Sequence, residues 1–256
     1  MNKEKVAGRL MLWTYRTAVI PFCQGCQDGT IGRVICEVVE EMGIEGRMIL
    51  IGGVGCHAMI SFLVDFDAVQ VAHGRAPDVA SAIKRALRGE PIVVTIQGDG
   101  DCIAIGTESL IQAAARAERI TVIMANNGNY GTTGGQMAPT SIIGQKTTTT
   151  PEGRETIHGF PIHAAELVAG LKGTAYSARG AFTSPADYQR TKGYVKTALQ
   201  KQVDNVGFSF VEILSACPPN WHLPPLKCLK WIEEEMILEF PLGEFNSQCL
   251  YGNRSA

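Results

Sequence analysis

The chain has 256 residues, 45% of them hydrophobic, enough to bury a substantial core and near the upper end of what one folding unit holds. Lys and Arg number 23 against 25 for Asp and Glu; the resulting formal charge of -2, with no broad basic field, excludes a role built on neutralising nucleic-acid phosphates. No run approaches the roughly 20 apolar residues that span a bilayer, and the opening segment lacks the continuous apolar stretch and cleavage site of a secretory signal, so a cytoplasmic protein without a membrane partner is expected.

Eight cysteines in a reducing compartment read as free thiols or metal ligands rather than disulfides. The first pair, Cys23-Gln24-Gly25-Cys26, precedes a helical pattern over 29–42, where Ile31, Val34, Ile35, Val38 and Val39 recur at helical spacing with Glu37, Glu40 and Glu41 mostly opposite. A buried strand over 48–54 runs into Gly55-Cys56-His57. A second over 68–72 runs into His73-Gly74-Arg75 and a helix over 76–88. The strand over 91–97 leads to Gly98-Asp99-Gly100-Asp101 and a helix over 106–118, and the strand over 120–125 ends at Asn126-Asn127. The segment 126–154, rich in Gly, Thr and Asn, is too long for an ordinary connection and reads as a functional loop. Then come a helix over 161–171, a strand over 174–179, a helix over 185–203 and a strand over 208–214. After Cys217 the stretch PPNWHLPP reads as extended, because proline disfavours helix in its predecessor. A last helix over 227–238 leads to a tail suited to docking on another subunit. This alternation predicts an α/β fold with a mainly parallel sheet and helices on both faces, as one domain over 1–256 with a C-terminal extension from about 222 to 256. Such sheets bind ligands at the carboxyl ends of their strands.

Chemistry is concentrated at those ends. Gly-Asp-Gly alone is common turn chemistry. Here, however, residues 101–125, 25 in all, separate Gly100 from Asn126, and both halves end predicted strands, so two strand ends can meet at one site. Glycines let backbone amides approach a diphosphate, while a carboxylate and an amide oxygen suit magnesium. A side chain at Asn126 either caps the loop or touches the ligand. Cys-x-x-Cys can hold a cluster, but also zinc or a redox dithiol; Cys217 alone could be a buried hydrophobe, and His73 a satisfied core histidine.

Taken in order, CQGC at 23–26, GC at 55–56, HGR at 73–75, GDGD at 98–101, NNGNYGTTGGQ at 126–136 and Cys217 resemble the thiamine-diphosphate-binding beta subunits of 2-oxoacid:ferredoxin oxidoreductases, with coverage from about Pro21 to Trp221. The resemblance implies the thiamine-diphosphate-binding fold and oxidative decarboxylation of a small 2-oxoacid to acyl-CoA, with coenzyme A as acceptor and electrons passed to ferredoxin. Three cofactors are implied: thiamine diphosphate, Mg2+ and a 4Fe-4S cluster. Asp99, Asn127 and the main chain of Asn129 would hold magnesium, and Cys23, Cys26, Cys56 and Cys217 the cluster. Gly98, Gly100, Asp101, Tyr130, Gly131 and Thr132 would cradle the cofactor together with Gly55, Cys56, His57, His73, Gly74 and Arg75, with His73 and Arg75 as the catalytic candidates. Alpha-type and gamma-type partner subunits are implied, since the glutamate that activates the aminopyrimidine belongs to the partner in this family. Gln24 stands where the family often has proline. The neutral residues Met59 and Thr132 favour an apolar or small oxoacid, and no special role falls to Cys36, Cys102, Cys228, Cys249, His158, His163 or His222. The run Thr147 to Thr150 suits either anion contact or a solvated loop.

Overall fold

The structure, a computed structural model, describes residues 21–246; the opening segment and Cys249 lie outside the described residues. In chain order the main elements are α1 (Asp28–Met42), β1 (Met48–Gly52), β2 (Asp67–Gln70), α2 (Ala76–Ala86), β3 (Ile92–Gly98), α3 (Thr107–Ala115), β4 (Thr121–Asn126), β5 (Asn129–Tyr130) and β6 (Gln136–Met137). They continue with α4 (Ala164–Ala169), β7 (Thr174–Ala181), α5 (Pro185–Val203), β8 (Phe208–Leu214), α6 (Pro218–Trp221), α7 (Pro225–Trp231), α8 (Ile237–Glu239) and β9 (Gly243–Asn246).

Seven strands form one sheet in the order β2-β1-β3-β4-β8-β7-β9, parallel except for the antiparallel edge strand β9. Period-two alternation along the strands feeds two cores. Leu50, Val94, Ile123 and Val211 pack beneath α1 and α5, and Ile51, Val93, Val122 and Phe210 beneath α2, α3 and α4. A third cluster, with Leu214, Cys228, Ile232 and Phe240, seats the C-terminal helices.

Two expectations are corrected. The second strand is an exposed edge, not a buried one, since Asp67 to Gln70 face solvent along their whole length. The stretch after Cys217 is not extended either. Pro218 and Pro219 occupy the first helical positions, where a missing N–H costs nothing, and the Trp221 amide donates to the Cys217 carbonyl at 3.0 Å.

The chain leaves β1 towards β2 on one side and leaves β3 towards β4 on the other. The carboxyl ends of β1 and β3 therefore bound a topological switch point, where a crevice must open.

Candidate functional site

The crevice at that switch point is lined by residues 54–57, 98–101 and 129–133 together with Asp28, His73, Ala125 and Asn127. Each group follows a strand end, so the fold brings together segments far apart in sequence.

Asp99 stands at the end of β3, almost wholly buried. Its Oδ1 accepts from the Gly100 amide at 2.8 Å and its Oδ2 from the Thr140 hydroxyl at 2.6 Å. Burial, the dominant cause, pushes its carboxyl up to about 7. Across from it, Asn127 Oδ1 accepts from the Asn129 amide at 3.1 Å, and the Gly128 carbonyl is held by Ser141 Oγ at 2.5 Å and Gln145 Nε2 at 2.9 Å. Asn126 caps this loop: it is fully buried, its Oδ1 accepts from the Gly128 amide at 3.1 Å, and it does not line the crevice. Arg154 secures the far side, donating to the carbonyls of Pro139, Ser141, Gly159 and Phe160.

Asp101 knits the floor. Its Oδ1 accepts from the amides of Gly74 at 2.8 Å and Val54 at 3.2 Å and pairs with His73 Nδ1, while its Oδ2 accepts from Gln97 Nε2 at 2.7 Å. The turns after β1, β2 and β3 are thus tied to one carboxylate. Gly53 permits this, because a Cβ there would lie 2.0 Å from Asp101 Oδ2. Gly53→Ala is accordingly expected to cost about 1–3 kcal/mol by overpacking and to lower the thermal midpoint by several degrees in a melting experiment. Gly193→Ala, on the exposed face of α5 with open space around it, should leave the midpoint unchanged or raise it.

His57 is buried against Gly55 and Gly98. Burial holds its pKa down at about 4, so the ring is neutral, and its Nε2 accepts from the Gly98 amide at 3.2 Å, which places the ring proton on Nδ1.

The cysteines gather beside the same crevice, which Cys56 lines and which Cys217 borders through Asn220 and Gly131. Burial first, then Asp28, then Cys217 and Cys56 raise the pKa of Cys26; Cys56 in turn feels Cys23, and Cys217 feels Cys56. The four thiols form one electrostatic neighbourhood. Cys56 Sγ lies 3.1 Å from Thr132 Oγ1. Asn220 Nδ2 donates to Cys217 Sγ at 3.3 Å and to the Gly131 carbonyl at 2.9 Å, and Trp221 Nε1 donates to the Asn127 carbonyl at 3.1 Å. The CQGC turn closes through the Cys26 amide on the Cys23 carbonyl at 3.0 Å, and its Gly25, at φ +79°, packs on Pro225 and Pro218. No group of three His, Cys, Asp or Glu side chains among the described residues closes tightly enough to hold a single metal ion.

Other residues singled out in the sequence lie elsewhere. The Arg75 guanidinium donates to Glu108 at 3.1 Å and Ser109 at 3.0 Å and does not line the crevice; Gly74 contributes only its amide, to Asp101. Met59 is not part of the lining. The threonine run spends its hydroxyls internally, Thr147 on Thr150 at 2.6 Å and Thr149 on the Met137 amide at 2.9 Å, so it is loop scaffolding. Cys36, Cys102 and Cys228 are core residues. His158 completes a capping box with Glu155, His163 bonds Glu239 at 2.8 Å, and His222 ends α6 in the left-handed conformation. Sequence reasoning missed Asp28, Thr140, Ser141, Gln145, Arg154 and Asn220.

Residues 53–213 match the family described as thiamine pyrophosphate enzyme, C-terminal TPP binding domain. The chain is 41% identical over 228 residues to ketoisovalerate oxidoreductase subunit VorA of Methanothermobacter marburgensis, covering 89% of this chain and 48% of that relative, so it spans about half the relative's length. It is 35% identical over 221 residues to 2-oxoglutarate synthase subunit KorB of Archaeoglobus fulgidus, covering 86% of this chain and 78% of that one. Among solved structures it resembles the 2-oxoglutarate:ferredoxin oxidoreductase of Magnetococcus marinus, solved with 2-oxoglutarate, coenzyme A and succinyl-CoA bound. That match has a TM-score of 0.67 and 25% identity over 82% of this chain and 72% of that one.

Proposed function

The chain belongs to the thiamine pyrophosphate enzymes and, within them, to the subunits of 2-oxoacid:ferredoxin oxidoreductases, and we propose that it is the beta-type, thiamine-diphosphate-binding subunit of such a complex. The observation that carries this reading is the shared wall between two sites. Cys56 and Cys217 touch Thr132 and, through Asn220, Gly131, in the loop that follows the GDG and NN strand ends. A decarboxylase without electron transfer has no use for four thiols there.

The residues fit the groups assigned to them. Asp99 is a buried carboxylate that faces the Gly100 and Gly128 amides and the Thr140 hydroxyl, with no cationic side chain on it, an arrangement that a hard divalent cation completes. Asp99, the Asn127 side chain and the Asn129 carbonyl would hold Mg2+, with Gly98 and Gly100 admitting the diphosphate close to the backbone. A Cβ at Gly100 would lie 2.1 Å from the Tyr130 ring, so the wall is drawn tight where the cofactor passes. Cys23, Cys26, Cys56 and Cys217 would supply the four thiolates of a 4Fe-4S cluster.

When bound, thiamine diphosphate supplies the carbanion and electron sink for 2-oxoacid decarboxylation, and the cluster a one-electron path towards ferredoxin. This chain's residues do the rest. Asp101 holds His73 through Nδ1, leaving Nε2 as the nitrogen with which His73 would donate or accept a proton in the crevice. Neutral His57 braces the end of β3 at Gly98 without adding charge. No Lys or Arg among the described residues lines the crevice, so none of them offers a second substrate carboxylate a counter-ion. This supports an apolar 2-oxoacid, as does the similarity to a ketoisovalerate oxidoreductase subunit. Alpha-type and gamma-type partners complete the site and the electron path.

The test is anaerobic purification of the chain with its co-expressed partners, followed by iron analysis, visible absorption in the sulfur-to-iron charge-transfer region and oxoacid-dependent dye reduction. A brown protein reducing dye with 2-oxoisovalerate, dependent on both thiamine diphosphate and coenzyme A, is the expected result. Decarboxylation by an iron-free complex with no dye reduction would overturn it.

A further inference from the structure

Outside the crevice, one charged pair among the described residues is wholly excluded from water: Arg179 on β7 and Glu212 on β8, in register with one another. Arg179 Nε donates to Glu212 Oε2 at 2.9 Å, and its Nη1 donates to Glu166 Oε1 at 2.9 Å and to the Pro241 carbonyl at 3.0 Å. The rings of Phe240 and Phe245 cover the guanidinium, at 5.3 and 5.0 Å. Stability alone is a poor reason for such a pair, because well-packed apolar residues of similar volume commonly serve as well or better.

The second oxygen of Glu212 supplies a reason. Its Oε1 accepts from Asn126 Nδ2 at 2.6 Å, and Oε2 also meets the Ala165 amide at 3.3 Å. With Nδ2 engaged, the Asn126 amide has one orientation left, Oδ1 towards the Gly128 amide at 3.1 Å. Gly128, at φ +62°, is the hinge between Asn127 and Asn129, the two residues assigned to magnesium above. A continuous line of bonds therefore runs from the Pro241 carbonyl through Arg179, Glu212 and Asn126 to the metal-binding turn. Only an ionised carboxylate at 212 accepts from Asn126, Ala165 and Arg179 together without presenting a donor of its own; a glutamine there would set N–H against N–H.

We propose that Glu212 is a positioning residue for the magnesium-binding turn, acting through Asn126, and that Arg179 with the C-terminal segment 240–245 holds Glu212 in place. The inference rests on the thiamine reading above. Partners of metal ligands typically account for roughly 10–100-fold in metal affinity, and that is the effect assigned to Glu212.

The experiment measures thiamine diphosphate binding by calorimetry across a Mg2+ series, with iron content and thermal midpoint, on the anaerobically purified complex carrying Asn126→Ala, Glu212→Gln, both, or Phe240→Ala. Asn126→Ala leaves the ion pair intact, so it carries the test if Glu212→Gln fails to fold. The expected result is about 10–100-fold weaker binding at limiting Mg2+ for each of the first two, partly restored by excess Mg2+, with unchanged iron content. The double variant should be no weaker than the weaker single one, and Phe240→Ala should shift binding in the same direction by less. Folded Asn126→Ala and Glu212→Gln complexes that bind as the unsubstituted complex does would overturn the inference while leaving the thiamine reading standing. An unsubstituted complex with no thiamine diphosphate affinity would instead sink that reading, and this inference with it.

Discussion

Asp99→Ala is expected to remove magnesium-dependent thiamine diphosphate binding, a loss beyond the roughly 10–100-fold that follows from disturbing a ligand's partner. The substitution deletes the one charged ligand assigned to the ion, at a position too buried for water to replace it fully. The fold should survive, because the Gly100 amide and the Thr140 hydroxyl lose an acceptor while the Gly128 amide, which also faces Asp99, keeps Asn126 Oδ1. Titration gives the claim a sign. The folded carboxyl takes up its proton at about 7, against 3.8 as its ordinary value, so between those values the folded state binds more protons than the unfolded one. Its contribution to stability is present below about pH 4 and is lost as pH rises through 7. A divalent cation in place of the proton reverses that loss. Melting curves from pH 5 to about 8 should therefore show the parent falling relative to Asp99→Asn without ligands, and Mg2+ with thiamine diphosphate should raise the parent most at the upper end. Unchanged calorimetric affinity in the Asp99→Ala complex, or loss of folding with no cofactor effect, would defeat the assignment.

The sheet was legible because its buried strands are short apolar runs of the right length, and 208–214 and 185–203 begin and end where the pattern says. Ser184 accepts from the Asp187 amide and Pro185 opens the helix, so α5 carries its start signal locally. The edges were less legible. In β2, Asp67 and Gln70 frame an exposed strand that only pairing with β1 reveals, and β9 is a four-residue strand with Glu and Asn in it. The same contrast holds in the site. GDGD and NN stand at strand ends, where a sequence pattern has positional meaning. Thr140, Ser141 and Gln145 sit in a loop with no period, and nothing local says that they fold back onto Asp99 and Gly128. Arg75 looked like a crevice residue for the same reason, since its direction is set by Glu108 and Ser109 on the neighbouring helix. Glu212 did leave a trace: one carboxylate inside the run FSFVEIL must be paired if that run is buried.

Cys217→Ala should cost the complex part of its cluster, bringing iron below about four atoms per chain and reducing the visible charge-transfer band. Cys217 lies 161 residues beyond Cys56 (217 − 56), so only the fold can unite them, and it does so by a specific device. Strand β8 delivers the chain to the crevice, α6 turns it back at once, and Asn220 and Trp221 lock that turn to the carbonyls of Gly131 and Asn127. Cys228 provides the sharper control. It is close enough to Cys217 to feel its charge, yet it is buried in the third cluster with its Sγ directed to the Leu223 carbonyl at 3.6 Å, so Cys228→Ala should leave iron content unchanged. Cys249→Ser should do the same. Hydrogen bonds to cluster sulfurs raise reduction potentials, so Asn220→Ala, which removes the 3.3 Å donor to Cys217 Sγ, should retain iron but shift the potential downward in a redox titration. In a structure of the loaded complex each of the four sulfurs should bond a separate iron at about 2.3 Å. Full iron content in Cys217→Ala together with loss in Cys228→Ala would transfer the fourth ligand to Cys228. Zinc held by Cys23 and Cys26 alone would remove the cluster, and with it the electron path that separates this chain from a non-oxidative decarboxylase.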